Sequence, residues 1–200
     1  KVIVHVGPKG FQKVGHICFA YDDIVYSYGN YDSDSFHLNQ TIGDGIFFTV
    51  PLEKYIPNMI SAENNSIFEY GIYTTSKQNA LIEKEIEKIR QNGYRWYTKI
   101  EKEDGYDRFS EYEMDYPSRL HYRTGAKLYK VKSGKFHIYW ALGDNCASFT
   151  DLVLGTLGAD VLSIRGIISP GTYLDWLQKE YLKKNSPIVF RRIYKEWDSE

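Results

Sequence analysis

Two residues of this chain have the type and the setting for nucleophilic chemistry, Cys146 and His16. Cys146 lies in Asp144-Asn145-Cys146-Ala147-Ser148-Phe149, which follows a strand-like run and a Gly143 turn and opens a helix expected over residues 144–158. A thiol attacks only as thiolate, and a helix N-terminus stabilises that anion through its free N–H groups and dipole. The same N–H groups can hold the oxyanion of a tetrahedral intermediate. The plainer reading is a small buried helix residue, because free cysteine is commonly buried. Position alone leaves the two readings balanced.

The histidine shifts that balance. Gly15-His16 opens a strand whose alternation puts His16 and Cys18 on one face. A base on a rigid strand meeting a thiol at a helix start is what a thiol hydrolase requires. A lone histidine is, however, more often a satisfied core residue. Cys18 is the poorer nucleophile: it lies about 6.6 Å along the strand from His16 and has no helix dipole. His5 is mid-strand, His37 is in a polar loop, and His121 is in an irregular stretch. His137, in a hairpin strand close to Cys146, is the reserve base.

The base needs an orienting group on its other ring nitrogen. The strand after the Asp22-Asp23 turn must supply it. A three-residue connection places Tyr28 opposite His16. A two-residue turn places Gly29 there and leaves Ser27, Asn30 or Asp32 to reach in. Tyr28 is the first choice and Asn30 the second. Asp32, Asn145 and Ser148 are further substrate-binding candidates.

The elements that must position these residues follow from pattern. Val2 to Val6, Gly15 to Tyr21, Ile24 to Tyr28, Ile46 to Val50, Ile67 to Thr74 and Ile188 to Tyr194 read as strands. Asn30 to Gly45 reads as loop, and Gly7-Pro8-Lys9-Gly10 as a turn. Ser76 begins the clearest helix: Ala80, Leu81, Ile82, Ile86 and Ile89 form its apolar stripe, and Gly93 ends it. Tyr94 to Arg123 is charged, Tyr-rich and poorly periodic, so residues 94–127 read as an irregular insertion. Leu128 to Val131 and Phe136 to Trp140 flank Ser133-Gly134-Lys135 as a second hairpin. Ser169-Pro170 opens a last helix to about Lys184. Hairpins mixed with helices argue an α+β class.

Composition limits the partners. Two hundred residues favour a single domain over 1–200. The net charge of −1, with scattered Lys and Arg, argues against nucleic acid. No apolar run reaches the roughly 18 residues of a spanning helix, so no transmembrane segment is expected. Two cysteines 128 residues apart make neither a disulfide scaffold nor a zinc pair. The start at Lys1 without Met suggests a processed chain or a module of a longer one. Eighteen tyrosines fit half-buried strands better than a stacking surface for sugars or lipid head groups. No nucleophile elbow, phosphate loop or H-E-x-x-H motif is present. Asp107, Glu111, Glu113 and Asp115 match no calcium loop and read as a solvated face.

Gly15-His16-Ile17 and Asn145-Cys146-Ala147-Ser148-Phe149 resemble the histidine strand and the N-C-x-[ST] box of the permuted NlpC-type papain-like cysteine hydrolases. With Tyr26-Ser27-Tyr28-Gly29-Asn30-Tyr31-Asp32 between them, and a helix at Ser76 to Gln91, the chain resembles most the Lnb-type N-terminal periplasmic domain family. The motifs bracket residues 15–150. The family's membrane segments are absent from this chain.

The resemblance implies a permuted papain-like fold, an antiparallel sheet packed on helices with the nucleophile at a helix N-terminus. It also implies thioester chemistry with no metal or cofactor: His16 deprotonates Cys146, and the thiolate attacks an amide or ester carbonyl. The substrates implied are bacterial cell-wall peptide amides or the acyl chains of lipids and lipoproteins. The location implied is secreted or periplasmic. Small free-standing copies resemble antibacterial effector toxins, which would bring a cognate inhibitor protein as partner. A lipid substrate would call for an apolar patch beside Cys146, with Ile167, Ile168 or Trp176 as sources. The rival from another class is a non-catalytic glycan- or protein-binding module.

Overall fold

Runs rich in β-branched and aromatic residues pair as strands in this computed structural model, which describes residues 1–6, 15–102, 110–111, 113–157 and 169–195. The strands are β1 (Val2–Val6), β2 (His16–Tyr21), β3 (Ile24–Gly29), β4 (Ile42–Asp44), β5 (Ile46–Pro51), β6 (Ser66–Ile72), β7 (Gly93–Trp96), β8 (Lys127–Val131), β9 (Ile138–Trp140) and β10 (Ile188–Tyr194). Eight form one sheet in the order β10-β6-β1-β2-β3-β5-β8-β7, and each neighbouring pair is antiparallel. β4 and β9 pair separately as a short ribbon. The helices are α1 (Leu52–Ser61), α2 (Ser76–Gln91), α3 (Lys99–Lys102), α4 (Tyr116–Thr124), α5 (Cys146–Leu154) and α6 (Pro170–Tyr181). The chain is α+β, a largely antiparallel sheet packed with helices. No described helix is long and apolar enough to cross a membrane.

Strand alternation divides the core in two. On the first face Val2, Val4, Ile17, Phe19, Tyr26 and Tyr28 pack with Ile82 and Ile86 of α2, Phe149 and Val153 of α5 and Tyr173 of α6. On the second face Ile3, Cys18, Val25, Phe48 and Ile67 pack with Tyr55 and Met59 of α1 and Leu120 of α4. Most of the large tyrosines take up half-buried strand positions, as at Tyr26 stacked on Phe19 and Tyr129 stacked on Phe47.

Several elements depart from the sequence reading. Helix α1 follows Pro51 directly, and its Leu52, Tyr55, Ile56 and Met59 carry the i, i+3, i+4, i+7 stripe. Thr75, not Ser76, caps α2, and it forms a capping box with Gln78. The stretch from Tyr94 to Arg123 is only partly irregular: Gly93–Trp96 is the edge strand β7, and Asp115 caps α4. Residues 30–45 hold a 3-10 turn, Ser33–Ser35, and β4.

The second hairpin does not form as a ladder. Phe136 takes a positive φ of 69° and buries its ring against Tyr28 and Phe149, so the chain leaves β8 before β9 begins. β9 then pairs with β4, and β8 pairs with β5 and β7. Gly45 allows this crossing, because a Cβ there would lie 1.8 Å from the Phe136 carbonyl oxygen. The Gly7-Pro8-Lys9-Gly10 turn, Asp107 of the acidic run, and Ile167 and Ile168 lie outside the described residues.

Candidate functional site

Cys146 is the first residue of α5, and the sequence there builds a well-capped helix start. Asn145 Oδ1 accepts the N–H groups of Ala147 and Ser148 at 2.9 and 3.0 Å, and Ser148 Oγ accepts the Asn145 N–H at 2.9 Å. Asn145 Nδ2 donates to Ala141 O, and Ser148 Oγ donates back to Gly143 O. Asn145 and Ser148 therefore hold the turn that presents Cys146, and their polar groups are engaged in doing so.

The sulfur itself is buried. Desolvation pushes the Cys146 thiol up to about 11, against a counter-pull from the backbone N–H groups of Ile17, Ala147 and Cys146. Ile17 is the residue after His16, so α5 delivers the sulfur to the start of the histidine strand.

The local geometry of that strand explains why it can receive a side chain there. A two-residue turn joins β2 and β3: Tyr21 pairs with Ile24, and Asp22 and Asp23 both take positive φ. The ladder runs back from the turn only to the Phe19–Tyr26 pair. Ahead of Phe19 the two strands separate, leaving backbone such as the Ile17 N–H free to face another group.

His16 enters the same opening from the other face of the sheet. It shares a face with Cys18, and its ring centroid is 5.4 Å from that of its cross-strand neighbour His5. Its Nε2 lies 2.7 Å from Ser27 Oγ, and Ser27 Oγ is 3.1 Å from Tyr31 OH. Nδ1 has no hydrogen-bond partner among the described residues. Desolvation lowers the His16 pKa to about 4, so the ring is neutral at pH 7. Cys146 and His16 share no hydrogen bond here; the Ile17 backbone is the point where they come together.

The two-residue turn overturns Tyr28 as the orienting residue. Tyr28 points to the first face, donates to Phe136 O at 3.0 Å and stacks on Phe149. Ser27 partners His16 instead. The turn length carries this information: it places Ser27 opposite Cys18, diagonal to His16 and on its face. Asn30 does not reach in either, as its Nδ2 donates to Gln40 O. Asp32 caps the Ser33–Ser35 turn and pairs with Lys130 at 2.7 Å. The reserve base His137 is exposed and hydrogen-bonds Val131 O through Nδ1. Tyr139 was missed from sequence; its ring lies 5.6 Å from that of Tyr28, near enough for a Cys146 thiolate to raise its pKa.

No protein family model matches the chain, and no curated protein or solved structure does. The comparisons therefore assign neither family nor activity, and the chemistry rests on these residues.

The second cysteine has a polar setting of its own. Cys18 Sγ lies 3.8 Å from His5 Nε2 and from Tyr55 OH, and His5 Nε2 lies 3.1 Å from Tyr55 OH. All three are buried, and desolvation drives the Cys18 thiol far above its ordinary value. Both cysteines are free thiols. Among the described residues no group of three His, Cys, Asp or Glu side chains is placed to hold a metal ion.

Proposed function

We propose that this chain is a cysteine-dependent hydrolase or acyltransferase of permuted papain-like architecture, with Cys146 as nucleophile and His16 as base. The observation that carries the reading is the meeting of the Cys146 sulfur, at a helix start, with the backbone N–H next to His16. Ser27 is the orienting group. With Ser27 Oγ accepting Nε2–H, the lone pair of His16 is on Nδ1, the nitrogen left free.

The resting pair is neutral thiol and neutral imidazole, so proton transfer accompanies attack and no ion pair forms beforehand. His16 Nδ1 takes the Cys146 proton as the S–C bond forms. The carbonyl oxygen becomes the oxyanion and accepts the Cys146 N–H, because Asn145 already occupies those of Ala147 and Ser148. His16 returns the proton to the leaving amine or alcohol. Water or an amine then opens the thioester.

The substrate in this reading is an amide of bacterial cell-wall peptide, met in a secreted or periplasmic setting. A specific observation favours the second substrate, a lipid or lipoprotein acyl group. The ribbon leading to Cys146 exposes Ile138, Trp140 and Leu142, and Leu38 beside it is exposed as well. Trp176, by contrast, is half-buried on Tyr173.

An acyl-trapping experiment tests the chemistry. Incubation with an activated ester should leave an acyl adduct on Cys146, found by peptide mass spectrometry and absent in His16→Ala. An adduct on Cys18, or none on either thiol, would favour the binding module. Released products from muropeptides and from phospholipid vesicles then separate the substrates.

A further inference from the structure

Glu69 lies in the middle of β6 with 1% of its surface exposed, and its partners are few. Tyr194 OH donates to Oε2 at 2.8 Å. The nearest cations stand beyond hydrogen-bond distance, Lys1 Nζ at 3.7 Å from Oε1 and Arg192 Nη1 at 3.8 Å from Oε2. Oε1 therefore has no hydrogen-bond donor among the described residues. A buried carboxylate in that condition needs a further cation or donor.

A cavity of about 600 Å³ adjoins it. Leu52, Ile56 and Ile24 line its apolar side, and Asp22, Asp23 and Glu53 add three more carboxylates. Against these four acids stand the side chains of two bases, Lys1 and Arg192. Lys1 Nζ already lies 2.8 Å from Asp23 and 3.7 Å from Glu69, so the space between these acids accepts an ammonium group. Two negative charges remain uncompensated along an apolar wall. The cavity borders the Asp22-Asp23 turn, at the opposite end of the β2–β3 hairpin from His16, and it is independent of the thiol chemistry.

We propose that this cavity binds a free aliphatic diamine as its dication. One ammonium meets Glu69 Oε1, the methylene chain lies along Leu52 and Ile56, and the second ammonium reaches the Asp22 and Glu53 carboxylates. Apolar contact selects the chain and the separated acids select the two charges.

Calorimetric titration with cadaverine at neutral pH and low salt tests this. Saturable binding is expected, weakened about tenfold or more in Glu69→Gln. Pentanediol, with the same chain and no charge, should not bind. A monoamine of equal length should bind more weakly, and equal affinity would remove the second charge contact. Leu52→Trp keeps every acid and fills the cavity, so it should abolish binding even if Glu69→Gln fails to fold. No saturable heat with the wild type, or unchanged affinity in Leu52→Trp, would overturn the proposal.

Discussion

The two cysteines occupy opposite faces of one sheet, and both are buried, with exposures of 0% for Cys18 and 4% for Cys146. Burial raises both thiols. Cys146 stops at about 11 because three backbone N–H groups oppose the loss of water. Cys18 has chiefly the Tyr55 hydroxyl to set against it and rises far higher. Depth alone does not separate a usable sulfur from an inert one. What separates them is the donor set around the anion, and a helix start meeting an open strand supplies more of it than a strand interior.

The largest effect expected from this contrast is on acyl trapping. Cys146→Ala should lower ester turnover by at least about a thousandfold, the scale seen when a covalent nucleophile is removed. Cys18→Ala should leave turnover near wild type while lowering stability in urea unfolding. Similar turnover losses in both variants would break the contrast. Next comes the base: His16→Ala should slow acylation by about a hundredfold or more. Loss of rate without loss of the far-ultraviolet circular dichroism spectrum would assign the effect to chemistry.

Acid should act on the histidine face first. His5 and His16 both titrate below their ordinary value, His16 at about 4, because burial disfavours the charged ring. Between about pH 6.5 and 4 the unfolded chain binds protons that the folded chain refuses. Stability is then level above pH 6.5 and falls as pH drops through that window, by at most about 1.4 kcal/mol per pH unit for His5. His16 retains some exposure and contributes less. Urea midpoints at several pH values should show this slope in the wild type and a shallower one in His5→Gln. A flat wild-type profile would contradict the burial account.

Smaller effects sharpen the site. Asn145→Ala removes the cap of α5 and should cost about 1 kcal/mol in urea unfolding, with slower acylation as the first turn loosens. Ser27→Ala should slow acylation about fivefold, the rate equivalent of one neutral hydrogen bond of about 1 kcal/mol. Faster acylation in Ser27→Ala would make the hydroxyl a competitor for His16 and not its support.

Local rules made much of the fold legible. The apolar alternation at Val2 to Val6, the Ser169-Pro170 start and the closing run Ile188 to Tyr194 correspond to β1, α6 and β10. The seat of Cys146 at a helix start was also written in the local sequence. Long-range pairing was not. The departure at Phe136 depends on a ring finding Tyr28 and Phe149 from distant elements, and hairpin patterning around Ser133-Gly134-Lys135 contains none of that. Helix α1 was hidden by Pro51 and Pro57, although its stripe was present. The orienting residue turned on one residue of loop length, and Asp22-Asp23 permits either turn until the register is known.

Gly45 has a reach beyond its own turn. Its N–H donates to His137 O at 2.8 Å and its carbonyl accepts from Val131 N–H at 3.0 Å. Through this seam the ribbon that feeds the nucleophile is fastened to the sheet that carries the imidazole. One missing methyl thus fixes the spacing between two parts of the molecule that share no other short covalent path. Enlarging it would retune the reaction from a distance, leaving each reacting group intact and the alignment between them lost.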